Sequence, residues 1–105
     1  MEFRSIYVTA KDETEARKIS LALVNERLAA CVNYFPAKSI YRWQGSVEEA
    51  SEVALIAKTR SDLVEVLIER VKELHSYETP CIVSWAIEKG NPAYLDWIKE
   101  STERK

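Results

Sequence analysis

The fold is decided by residues 53–87. They read Val53-Ala54-Leu55-Ile56-Ala57-Lys58, then Ser61-Asp62-Leu63-Val64 opening a helical run, then Leu74-His75-Ser76-Tyr77-Glu78-Thr79-Pro80, then Cys81-Ile82-Val83-Ser84-Trp85-Ala86-Ile87. In the first segment Val53, Leu55 and Ala57 alternate with Ala54, Ile56 and Lys58, and both sets are mainly apolar. A strand that hides both faces lies in the middle of a sheet or at an interface. Leu63, Val64, Leu67, Ile68, Val71 and Leu74 then form an apolar stripe at helical spacing, with Glu65, Glu69, Arg70, Lys72 and Glu73 on the wet side. Ser61 is the expected N-cap, and Asp62 sits where the helix dipole favours a negative charge. Pro80 is expected to begin the last main strand.

Upstream, Phe3 to Thr9 is rich in Ile, Tyr and Val and reads as a strand. Asp12 with Glu15 three positions later is a capping box. Ala16, Ile19, Ala22 and Leu23 make one face of the helix it opens, which is expected to end near Leu28. Cys31 to Gln44 is extended. Pro36 makes it an edge strand with a kink or two consecutive pieces, and Gln44-Gly45-Ser46 is the turn. Downstream of Gly90, Asn91 and Pro92 open a short helix anchored by Tyr94, Leu95 and Ile98, with a tail from Glu100 expected to fray.

The order is strand, helix, strand, strand, helix, strand, then a C-terminal helix. That is the split β-α-β pattern of the α+β, ferredoxin-like fold, with an antiparallel sheet in the order 4-1-3-2. Both main helices are expected on one face and the other face bare. The chain, 1–105, is one domain. With 47% hydrophobic and 30% charged residues it has enough apolar side chain to fold. Two glycines exclude a P-loop or a dinucleotide fingerprint, which need several. A net charge of -2 argues against nucleic acid as a partner. No apolar stretch is long enough to cross a bilayer, and Met1-Glu2-Phe3-Arg4 lacks a signal-peptide core, so a cytoplasmic location is the expectation. Cys31 and Cys81 have neither zinc-knuckle nor redox-pair spacing and read as small buried hydrophobes on opposite sheet edges.

A two-layer fold buries one face of its sheet. Here Tyr34, Phe35, Tyr41, Trp43 and Trp85 are spread over the outer strands, and a monomer exposing them would carry an interface-sized apolar patch. An oligomer follows, joined through that patch and the long hairpin.

The joint holds the only histidine, with a phenol and a carboxylate close by. Imidazole suits Cu²⁺ or Zn²⁺, and a carboxylate completes a mixed N/O site. His75 and Glu78 are the first candidate ligands, with Cys31 as a soft third if the fold brings it near. Two ligands make a weak site, which symmetry in an oligomer would strengthen. Each has a plainer role. His75 can cap the helix end, Tyr77 can fill the core, and Glu78 can join an ion pair. Lys58 can form a salt bridge or bind an anion, and Trp43 can pack at an interface. Enzyme chemistry is not expected, because no triad accompanies Ser76 or Ser84. Ala10-Lys11-Asp12-Glu13 is also no phosphate cradle. No organic cofactor is implied.

Four separate motifs carry a family resemblance. Glu26-Arg27-Leu28-Ala29-Ala30-Cys31-Val32-Asn33, Tyr41-Arg42-Trp43-Gln44-Gly45, Leu55-Ile56-Ala57-Lys58-Thr59 and His75-Ser76-Tyr77-Glu78-Thr79-Pro80 resemble the signatures of the CutA divalent-cation tolerance family. Tyr94-Leu95-Asp96-Trp97 is similar to its terminal helix. The resemblance implies a tight homotrimer with a role in tolerance of divalent cations, copper first. It names no protein partner. Ser76 stands where the family pattern has Pro, and Val8 and Leu74 where some members carry Cys and His. Any metal site is therefore poorer in ligands here. Trimers of similar subunits occur in PII-type signalling proteins. The alternative expectation is thus an anionic effector in a subunit cleft with Lys58, Trp43 and Tyr77.

Overall fold

The computed structural model describes residues 1–104. The chain runs β1 (Phe3–Ala10), α1 (Glu13–Asn25), β2 (Cys31–Trp43), β3 (Ser46–Arg60), a 3-10 turn (Ser61–Leu63), α2 (Val64–Leu74), β4 (Ile82–Ile87) and α3 (Pro92–Ser101). The strands form one antiparallel sheet in the order β2-β3-β1-β4. This is the expected order read from the other edge.

Strand parity sorts the side chains. Ile6, Val8 and Ala10 stand opposite Ala57, Leu55 and Val53. They pack with Ala16, Ile19 and Leu23 of α1 and Leu67 and Val71 of α2 into the main core. Each Leu or Ile fully buried there contributes about 1.5–3 kcal/mol of transfer free energy, set against the entropy of ordering the chain. The opposite parity, Phe3, Ser5, Tyr7 and Thr9, faces away from α1 and α2. That second face is only partly bare. α3 lies against it at one end, where Ile98 and Leu95 pack on Phe3, Ile87 and Ala30. The tail does not fray at Glu100. The helix continues to Ser101, and the buried Thr102 donates its hydroxyl to Ile98 O at 2.8 Å.

Local signals explain most boundaries. Asp12 Oδ1 accepts from Glu15 N–H at 2.9 Å, and Asn91 Oδ1 from Ala93 N–H at 3.1 Å. α1 stops at Asn25, earlier than its apolar spacing suggests. Arg27 turns left-handed at φ 60°, and the N–H groups of Leu28 and Ala29 both return to Leu23 O. No glycine marks that stop, so periodicity alone overruns it. Ser61 caps nothing with its side chain; it opens the 3-10 turn, and its N–H is spent on Glu2 O. Pro36 does not break β2, because an edge strand is paired on one side only.

The hairpin is longer than the sequence indicated. β3 begins at Ser46, seven residues before Val53. Gln44 and Gly45 make a two-residue turn with φ 48° and 84°, the mirror-image type that suits strand twist. β1 ends at Ala10, opposite Val53. Beyond that pair β2 and β3 continue as a two-stranded ribbon of about 23 Å, which gives the molecule a longest dimension of 44 Å.

Candidate functional site

The joint between α2 and β4 is organised around His75. Its backbone closes α2 by donating to Val71 O at 2.9 Å. Its side chain is fully buried. Nε2 lies 2.7 Å from Thr9 O in β1. A carbonyl can only accept, so Nε2 carries the proton. Nδ1 accepts from Tyr77 N–H at 3.1 Å. The ring is thus a neutral imidazole with both nitrogens committed. It does not cap the carbonyls of its own helix, as a helix-end histidine often does. It ties the helix end to the end of β1.

Glu15 is the second organiser. It is buried and accepts from Lys11 N–H at 3.1 Å and from Ser76 N–H at 3.0 Å, with Oε1 3.8 Å from His75 Nδ1. Burial pushes its carboxyl upward. The bonds from Ser76 and Lys11 outweigh burial and hold it below its ordinary value of 4.5. Tyr77 sits against the imidazole, ring centres 4.8 Å apart, and its hydroxyl makes a long contact of 3.5 Å with Glu52 Oε2. Burial, followed by the Glu52 charge, raises its phenol above the usual value.

The proposed ligands do not converge within one chain. Glu78 is exposed. Cys31 pairs with Lys58, whereas Thr9, the partner of His75, pairs with Ala54. The four-residue offset separates them by about 13 Å along β3. Among the described residues no three His, Cys, Asp or Glu side chains gather as a metal-holding group. A resident metal at the joint therefore does not fit the donors of a single subunit. Cys81, expected to be buried, is exposed. The cleft trio is also dispersed. Lys58 donates to Asn33 Oδ1, and Trp43 lies at the far end of the ribbon, twelve residues along β2 from Cys31. Tyr77 stays at the joint. A shallow groove lined by Glu26, Leu28, Val66, Arg70 and Glu73 lies on the helical layer, away from these residues.

Sequence reasoning missed Thr9, whose contribution is a backbone oxygen with no side-chain signal. It also missed Glu52, one glutamate among several in the hairpin. Glu15 was legible as a capping residue, but its reach to Ser76 across 61 positions was not.

Known proteins share this architecture and sequence. The family described as CutA1 divalent ion tolerance protein matches residues 4–101. The divalent-cation tolerance protein CutA of Archaeoglobus fulgidus is 48% identical over 98 residues, covering 93% of this chain and 96% of that protein. That of Thermus thermophilus is 51% identical over 98 residues, covering 92% and 95%. The mouse protein CutA is 46% identical, but the match spans only 55% of its length. The solved Archaeoglobus structure, described as periplasmic, superposes with a TM-score of 0.95 at 46% identity, covering 96% of this chain and 99% of that one. An Arabidopsis relative, 42% identical, is named chloroplastic, so the relatives' names span several compartments. With the fold and nearly the whole length matched, the chain belongs to the CutA1 divalent ion tolerance family.

Proposed function

We propose that this protein acts as a homotrimer that binds divalent metal weakly, copper first, and serves metal tolerance without catalytic turnover. The observation that carries the assembly is the uncovered part of the sheet. Tyr7 and Trp85 stack there with ring centres 5.9 Å apart, beside Val83 and Phe35, which are 49% and 43% exposed. Tyr41 and Trp43 extend the same parity along the ribbon, 44% and 49% exposed. These exposed rings and aliphatic groups, interrupted on the same face by Ser39, Glu48 and Glu52, are of the kind that association removes from water. The two sheet edges, β2 and β4, are different strands. Edge-to-edge contact between unlike edges is head-to-tail, and such contacts form a ring where the rotation between neighbours closes. Sedimentation equilibrium is expected to return three times the 12.1 kDa chain mass; a monomer would overturn the reading.

Metal is cargo in this reading. Cys31 supplies a partly buried thiol suited to Cu(I), and Glu78 an exposed carboxylate, with a neighbouring subunit's groups to complete the site. Calorimetric titration of the metal-free protein with Cu²⁺ is expected to saturate at a simple ratio per trimer and to weaken in Glu78→Gln, and an anaerobic titration with Cu(I) to weaken in Cys31→Ser. Absence of saturable binding would remove copper from the function. A PII-like effector site is the second reading, favoured by Lys58. Its ammonium lies on the open face with Asn33 as its recorded partner. Saturable binding of a small anion that disappears in Lys58→Met would support it over metal.

A further inference from the structure

We propose that His75 is a positioning residue that braces the projecting ribbon, and that metal is not taken through its ring. The consequence for assembly rests on the trimer reading above. The argument follows one chain of bonds. Thr9 O, near the end of β1, accepts from His75 Nε2–H. His75 Nδ1 accepts from Tyr77 N–H, and the Tyr77 hydroxyl meets Glu52. Ala10 opposite Val53 is the last β1–β3 pair, so Glu52 is the first β3 residue with no third strand beside it. Tyr77 stands at that position. Glu15, from α1, holds the same loop from its other side through Ser76 N–H. A two-stranded ribbon is marginal alone and takes its direction from what supports its base. Here that support is the 75–77 loop, and the imidazole sets the loop's shape.

The same bonds exclude the ring as a ligand. A metal needs a free imidazole lone pair. Coordination at Nδ1 would strand Tyr77 N–H; coordination at Nε2 would displace its proton and strand Thr9 O. Each route breaks a hydrogen bond at a fully buried ring.

The chain has one histidine, so a ¹⁵N imidazole spectrum of the intact protein reports His75 alone. The expected spectrum is that of the neutral Nε2–H form, unchanged by excess Zn²⁺ as a diamagnetic probe. The Nδ1–H form, or a ring that shifts with Zn²⁺, would overturn the proposal. Hydrogen exchange of ribbon amides 46–52 is the second readout. Exchange about tenfold faster is expected in His75→Ala, as one lost buried hydrogen bond implies, with recovery in His75→Gln, whose amide can donate to Thr9 O. Tyr77→Phe guards against a global folding defect. It should speed ribbon exchange while leaving the imidazole spectrum as it was. Unchanged ribbon exchange in His75→Ala or in Tyr77→Phe would overturn the brace. A wild-type protein that sediments as a monomer removes the trimer reading alone, because both readouts work on a single subunit.

Discussion

At the scale of single residues, the joint shows how chemistry-bearing side chains become structural ones. An imidazole, a phenol and a carboxylate close together in sequence invite a catalytic or metal reading. Burial and bonding partners decide otherwise for the imidazole, since a ring bonded through both nitrogens has no lone pair to offer. Glu15 carries a testable consequence. Its folded carboxyl is held below 4.5, so it contributes stability that is present above that value and lost as pH falls through the lowered one. Urea midpoints should therefore drop as the pH falls below 4.5 in the wild type, and Glu15→Gln should flatten that part of the profile. An unchanged acid slope in the variant would show that the ionised carboxylate is not held by its hydrogen bonds at the joint. The residue types were readable in advance. Their partners were not, because Thr9 to His75 and Glu15 to Ser76 are contacts 66 and 61 positions apart.

At the scale of elements, most of the fold was written in local patterns. The Asp12 N-cap, the Asn91-Pro92 start of α3 and the apolar stripe of α2 each formed where their chemistry placed them, although Glu15 returns its carboxylate to Lys11 N–H rather than to Asp12. The misjudged boundaries share a cause. The stop after α1 puts an arginine rather than a glycine in the left-handed conformation, and the outer half of β3, Ser46–Glu52, has the glutamate-rich composition of a solvated loop. Only pairing with β2 makes it a strand. The turn joining these two strands is the element's weak point. Gly45 sits at φ 84° with open space around its would-be Cβ, so a side chain there meets conformational strain and no clash. Gly45→Ala should cost about 1 kcal/mol in chemical denaturation, with the native register kept. A neutral substitution would mean that the turn relaxes to another type.

At the scale of the whole molecule, the chain has one sheet face covered by α1 and α2 and one covered only at its α3 end. Placing a charge in the open patch separates assembly from folding. Trp85→Glu should leave the circular dichroism of the subunit intact and shift the sedimenting species toward monomer, because an unpaired carboxylate in a desolvated interface is strongly unfavourable. A variant that still sediments as the wild type does would place the contact surface elsewhere. The oligomer expectation was legible from the count of aromatics on outer strands. Their common parity, and the sealing of one end by α3, required the register.

Sequence alone determined the element order, the sheet topology and the family, because these rest on periodicities, caps and motifs that act over a few residues. Tertiary structure alone decided which groups meet. The sheet register carries Cys31 away from His75, and the premature end of β1 leaves a ribbon for Tyr77 to brace. Strand offsets of about 3.3 Å per residue and the burial of one ring are set by long-range packing, which no short window of sequence contains.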